Sequence, residues 1–203
     1  MCSSDLVSAP VVQLVNQVGT TTTIAATPAS AVYGSEITLS ATVTPAAATG
    51  TVTFLDSATP IATCQLSAGS CSAAVTTLRA GGHSISARYA TDGNYAASTS
   101  ASTSVTITQG TSTTSMTASR TSATYGTAIA FTATVSPAAA TGSVSFLDGG
   151  TTLGSCTLSG GTCTFTTSTL AAGSHSVSAS YAGGPDVYGS DSDAVAVTID
   201  QAT

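Results

Sequence analysis

Three observations predict an all-β chain made of two copies of one sandwich module. First, a set of residues recurs at a fixed offset. Pro45–Gly50 (PAAATG) returns at Pro137–Gly142, Phe54-Leu55-Asp56 at Phe146-Leu147-Asp148, and Tyr33-Gly34 at Tyr125-Gly126. Cys64, Cys71, His83 and Tyr89 return as Cys156, Cys163, His175 and Tyr181, each 92 positions on (137 − 45). An offset held over that much chain marks a duplicated structural unit. Second, apolar residues alternate with Thr and Ser at period two, the sign of strands with one buried face. Third, clusters of Gly, Pro, Asn, Asp and Ser interrupt those runs at short intervals, as turns require.

In chain order, Met1-Cys2-Ser3-Ser4-Asp5-Leu6 matches the translation of a sequencing-adapter end and is read as an artefact, against the plainer reading of a short native N-terminus. On that reading Cys2 is not biological, and the lack of a signal peptide says nothing about location. Residues 7–18 match the start of neither copy. Leu14–Gly19 is similar to Ile107–Gly110, so this segment is read as the last strand of a truncated preceding repeat, or a linker. The first repeat is assigned to 19–109 and the second to 110–203. Ile199–Thr203 again matches Ile107–Thr111, so a third unit is expected to follow.

Within the first copy, strands are expected near 20–26, 36–44, 51–55, 60–66, 71–78, 83–90 and 102–108. Ile37, Leu39, Ala41 and Val43 alternate with Thr38, Ser40 and Thr42. The second copy gives Ile129, Phe131, Ala133 and Val135 in the same phase. Val52/Phe54 and Ile85/Ala87/Tyr89 repeat the pattern, as do Val144/Phe146 and Val177/Ala179/Tyr181. About seven short strands at this spacing predict a pair of tandem immunoglobulin-like β-sandwiches; the Greek-key order follows from that class and not from the periodicity.

The 203 residues carry 6% charged side chains, a net charge of −6 and a pI near 4.2. The cations are Arg79, Arg88 and Arg120, with no lysine. That excludes the clustered basic surface that nucleic acid or an anionic membrane demands. No apolar run approaches the ~20 residues of a membrane-spanning helix. Disorder is rejected too: the chain is 42% apolar with a mean hydropathy of +0.36, and its polar residues are largely β-favouring Thr and Ser. Without lysine, intramolecular Lys–Asn isopeptide cross-links cannot form.

The core is light. Trp is absent and aromatics are 5% of the chain, so a covalent staple would help offset the ordering entropy of ~90 residues per module. Cys64/Cys71 and Cys156/Cys163 each flank six residues with a Ser-Gly or Gly-Gly centre. A hairpin symmetric about Ser67/Ala68 would set Cys64 directly across from Cys71, within disulfide reach. An eight-residue loop contributes roughly 2.5 kcal/mol by loop-closure entropy. Zinc would need more ligands than two cysteines and a distant His, a redox pair normally reads C-x-x-C, and free thiols are the remaining option. The reading adopted is two structural disulfides, no metal and no cofactor, in an oxidising compartment outside the cytoplasm.

The sequence carries little reactive chemistry. His83 and His175 each follow a turn and open a strand. Catalysis would require a nucleophile and an orienting acid, and their duplication in register favours a structural role. Asp56 and Asp148 are expected to hold turns. Asp92-Gly93-Asn94 presents oxygens that Ca²⁺ could use, but a turn is favoured, since the second copy has Gly183-Gly184-Pro185-Asp186 there, with one carboxylate. Asp186, Asp191, Asp193 and Asp200 read as solvated loop. No HExxH, GxSxG or phosphate loop is present. Tyr95 and Tyr188 either stack on sugars or close the sandwich edge; burial is favoured. Tyr95, Tyr188, Asp92 and Asn94 are the weak ligand-contact candidates.

These residues resemble the bacterial Ig-like domain repeat family: Thr20–Ile24, Tyr33-Gly34, Ile37–Pro45, Thr49–Asp56, Leu66–Gly69, Leu78–Tyr89 and Asp92–Ala97. The second copy departs at Gly183–Tyr188. The resemblance implies a β-sandwich module of secreted or surface bacterial proteins, found in arrays beside adhesive or hydrolytic domains, with no catalytic residues to carry over. The function expected is a non-catalytic spacer or stalk, extracellular or on the cell surface, whose partners are neighbouring Ig-like repeats of the same chain. The alternative is an adhesion or carbohydrate-binding module for cell-surface polysaccharide or a host protein. An enzyme ranks third.

Overall fold

The computed structural model describes residues 16–202, and every element in them is a strand. Residues 1–6, which the sequence reading takes as an artefact, and residues 7–15 lie outside the described residues. The first copy contains β1 (Thr21–Thr27), β2 (Ser30–Val32), β3 (Ile37–Thr44), β4 (Thr51–Asp56), β5 (Thr59–Gln65), β6 (Ser70–Val75), β7 (Gly81–Tyr89), β8 (Ser98–Thr99) and β9 (Thr103–Thr108). The second contains β10 (Thr113–Ala118), β11 (Ser122–Thr124), β12 (Ile129–Ser136), β13 (Ser143–Asp148), β14 (Thr151–Thr157), β15 (Thr162–Thr167), β16 (Gly173–Tyr181), β17 (Ser190–Asp191) and β18 (Val195–Asp200). Every strand of the second copy begins 92 positions after its counterpart (129 − 37). The seven strands expected from the sequence are present in each copy, joined by two short ones that period two could not reveal: β2 and β8, and β11 and β17.

Each copy is two facing sheets. One has the order β1-β3-β6, the other β2-β9-β7-β4-β5 with β8 on β7; the second copy gives β10-β12-β15 and β11-β18-β16-β13-β14 with β17 on β16. The chain crosses between sheets from β1 to β2, from β2 to β3, from β3 to β4, from β5 to β6 and from β6 to β7, which makes the Greek key. Pairing is antiparallel except for β2 with β9 and β11 with β18, which are parallel.

Alternation places the core. Ile37, Leu39, Ala41 and Val43 are buried along β3, Val52 and Phe54 along β4, and Ile85, Ala87 and Tyr89 along β7, with the intervening Thr and Ser outside. In the second copy Phe131, Val135, Val144, Phe146, Val177, Tyr181 and Val197 form one cluster with Leu158 and Leu170. A register shift at Phe54/Leu55 and at Phe146/Leu147 adds a residue on the partner strand, Ile61 or Leu153. Such bulges bend an edge strand, and Leu153 packs against the core.

The cysteine hairpin differs from expectation. Cys64 is bonded to Cys71 and Cys156 to Cys163, with Cα separations of 5.8 and 5.9 Å. The strands that carry them are not a ladder, however: β5 pairs with β4 and β6 belongs to the sheet of β3. Only the bridge Ser67↔Ser70 closes the turn. The cause is in the backbone hydrogen bonds made on either side of it. Leu66 N–H goes to Gly50 O at 2.9 Å in one sheet, while Gly69 O accepts Val43 N–H at 2.8 Å from the other. The second copy repeats this at Leu158/Gly142 and Val135/Gly161. Gly69 (φ +76°) admits that approach, since a Cβ there would lie 2.7 Å from Ala46 Cα. Each disulfide therefore ties the edge of one sheet to the edge of the other.

By contact, two segments of the first copy, Pro28–Ile37 and Val75–His83, group with the chain from Val105 onward in one compact unit; the rest of the first copy forms the other.

Candidate functional site

The chemistry-bearing side chains are taken up by internal bonds. His175 opens β16, where Nδ1 lies 2.6 Å from Asp148 Oδ2 at the end of β13, and Nε2 lies 2.8 Å from Ala171 O. A carbonyl only accepts, so Nε2 carries a proton; facing a carboxylate, Nδ1 carries one as well. The hydrogen bond to Asp148 raises the His175 pKa, and the same bond lowers that of Asp148, whose Oδ1 also accepts Ser176 N–H at 3.0 Å. While both nitrogens donate, the imidazole has no lone pair free to act as a base or bind a metal. The pair instead joins the strand end, the strand start and the preceding loop. In the first copy His83 Nε2 bonds Arg79 O at 2.8 Å, and Asp56 Oδ1 accepts Ser84 N–H at 3.3 Å.

Asp92 is likewise occupied. Oδ2 accepts Thr49 N–H (3.0 Å) and Thr49 Oγ1–H (2.8 Å), and Oδ1 accepts Asn94 N–H (3.0 Å) and Tyr95 N–H (2.9 Å). These donors, the Thr49 amide foremost, hold its carboxyl well below the usual carboxylate range. Asp92 closes its loop on Thr49, and exposed Asn94 adds no second carboxylate. Among the described residues, no three His, Cys, Asp or Glu side chains gather as a metal site. Beneath this loop Tyr89 Oη–H donates to Thr49 O at 2.9 Å, as Tyr181 does to Thr141 O at 2.8 Å; burial raises both phenol pKa values.

Tyr95 and Tyr188 do not occupy equivalent places, because Val187 is the residue 92 after Tyr95. Tyr95 is half-buried, bridging Val18, and Val187, bridging Gly110, is buried. Tyr188 is 56% exposed, against the expected burial. The pairing of Val18 also attaches the described end of the 7–18 segment to the first copy.

Asp186 overturns another expectation. It is buried, not solvated: Oδ2 accepts Arg79 Nη1–H and Oδ1 accepts Ala80 N–H, both at 2.9 Å. No sequence signal links these residues, which are 107 apart. Two open, shallow depressions lie in the first copy. One of about 550 Å³ is lined by Arg88–Thr91 and Ala97–Thr99, another of about 330 Å³ by Thr22–Ile24 and Ser100–Thr103. Neither gathers acid, base and nucleophile. Among the described residues, no helix is long and apolar enough to cross a membrane.

Two sandwiches with this strand order, repeated in register, define a class of tandem immunoglobulin-like modules. The bacterial Ig-like domain family (group 3) matches residues 18–108 and 116–200, and the chain belongs to it. No curated protein matches the chain. Similar solved structures include the fibronectin(III)-like modules of Clostridium thermocellum CbhA (22% identity, TM-score 0.39, 88% of this chain and 94% of that one). The Yersinia pseudotuberculosis adhesin InvE is another (13% identity, TM-score 0.47, 88% of this chain and 58% of that one). Likenesses this distant carry no functional argument.

Proposed function

We propose that the chain is a non-catalytic spacer segment of a larger secreted or cell-surface bacterial protein. The observation that carries this reading is the internal consumption of its polar chemistry. Both nitrogens of His175, all four bonds of Asp92 and both cysteine pairs serve to hold strands and loops in place. What remains outside is mainly Ser and Thr. Ig-like modules are generally non-catalytic, and disulfides belong to oxidising compartments, which supports an extracellular or surface location. Modules that interact with their neighbours in sequence extend a chain without needing a ligand.

A second reading, adhesion to cell-surface polysaccharide or a host protein, is favoured by exposed Tyr188, since an exposed ring can stack on a sugar face. A glycan array combined with Ca²⁺ titration separates the two. The spacer reading expects flat responses; micromolar binding by the wild-type chain, lost in Tyr188→Ala, would replace it with the second.

A further inference from the structure

We propose that the face of the second copy bearing Tyr125, Ala172 and Gln201 is a docking seat for a further repeat of this same type in the same polypeptide. The proposal rests on the spacer reading and specifies its partner and joint.

Equivalent positions of the two copies differ in how they are covered. Tyr33 and Tyr125 have one backbone setting: Tyr33 N–H bonds Thr108 O and Tyr125 N–H bonds Asp200 O, both at 2.9 Å. Their side chains differ. Tyr33 is half-buried and packs against the core cluster of the compact unit that contains the second copy, whereas Tyr125 is 55% exposed. A Cβ on Gly110 would lie 3.7 Å from both Tyr33 Cβ and Val187 Cγ1, so Gly110 fills the space between them. Ala80 is half-buried, its N–H on Asp186; Ala172, its counterpart, is exposed.

The complementary edge shows the same contrast in reverse. Gly110, Asp186 and Val187 are buried. Their counterparts in the first copy are Val18 (53% exposed), exposed Asn94 and half-buried Tyr95. Covering therefore tracks whether another repeat sits alongside, not the residue's place in its own sandwich.

A third series points the same way. Gln17, Gln109 and Gln201 are spaced by 92. Gln17 Nε2 donates to Thr91 Oγ1 (2.8 Å) and Gly93 O (3.2 Å), and Gln109 Nε2 donates to Gly184 O (2.9 Å) and Pro185 O (3.2 Å). Each holds the loop of the copy that follows it. Gln201 stands exposed in the third such place.

The occupant's chemistry follows. It presents a small residue at the Gly110 position to meet the Tyr125 ring, a side-chain acceptor at the Asp186 position for Ala172 N–H, and loop carbonyls for Gln201. No cation is required of the seat, since Ala171 stands where the first copy has Arg79.

The test appends residues 110–203 directly after Gln201 of the full chain and follows tyrosine nitration by tetranitromethane together with amide exchange. In the present chain Tyr125 should nitrate at least fivefold faster than Tyr33. In the extended chain Tyr125 should slow to the Tyr33 rate, and exchange at Ala172 should slow at least tenfold. Unchanged rates beside an appended copy that is folded, as judged by its disulfide and protected amides, would overturn the proposal. Should the appended copy not fold, Asp186→Ala in the present chain tests the same joint. Tyr33 nitration and Ala80 exchange should then rise at least fivefold, and unmoved rates would overturn it. Glycan binding would remove the spacer reading without altering these rates, so the two failures are distinguishable.

Discussion

The two copies share a backbone plan but fill it differently. Where the first has Leu39, Ala62 and Ala73, the second has Phe131, Gly154 and Phe165. Phe165 stacks on Phe146 at 5.5 Å between centroids, and Phe131 lies 6.4 Å from Phe146. A Cβ on Gly154 would fall 2.3 Å from the Phe165 ring. One strand gives up its side chain so that the neighbouring sheet edge can place a ring there. The first copy keeps two methyl groups instead. The lesson is that these positions are coupled: the ring at one site fits only because the facing site carries no Cβ.

The largest expected effects break that coupling. Phe165→Ala should cost the second copy about 3 kcal/mol, through lost burial and the cavity over Gly154. In the first copy Ala73→Phe alone should cost about 1–3 kcal/mol by overpacking against Ala62, and Ala62→Gly should restore most of it. Chemical denaturation of the single and double variants checks this. Equal losses in Ala73→Phe with and without Ala62→Gly would show that the exchange is not a pairwise fit.

Next come the disulfides, where the copies should behave alike. The loops are the same length, so Cys64→Ser/Cys71→Ser and Cys156→Ser/Cys163→Ser should each lower stability by roughly 2.5 kcal/mol. Amide exchange resolved by copy would locate each loss, and a deficit spread over both copies would contradict independent staples.

A pH series sharpens the comparison further. The His175 pKa is raised by its bond to Asp148, so its contribution is complete below the unfolded value of ~6.5 and is lost as pH rises through the folded one. The Asp148 pKa is lowered, so its contribution is complete above ~3.9 and is lost as pH falls through the folded value. The second copy should be most stable between about pH 4 and 6.5. Asp148→Asn should flatten both slopes and cost about 1.5 kcal/mol in that window, the low end for a hydrogen bond to a charged group. A pH profile unchanged in Asp148→Asn would remove the pair as its source.

The smallest effect belongs to Arg79. Its side chain is 72% exposed, so Arg79→Ala should cost under ~1 kcal/mol, less in high salt. A thermal melt that moves by several degrees would mean that the guanidinium does more than pair with Asp186.

Much of this architecture is written in local pattern. Period two tells which face of β3, β4 or β7 is buried, because side chains alternate across a strand whatever its neighbours are. The repeat offset and the C-x6-C spacing are local as well, and they predicted the duplication and which cysteines lie within bonding reach. Tertiary structure alone decided which strands become neighbours. Alternation is silent on partners, so β5 and β6 read as one hairpin although their backbone bonds go to different sheets. It decided the fate of Asp186, whose partners lie 106 and 107 residues away, and of Tyr188, displaced by one position from Tyr95 in a loop where the copies diverge. Burial of a polar or aromatic loop residue depends on what the rest of the chain brings beside it, and short-range sequence does not encode that.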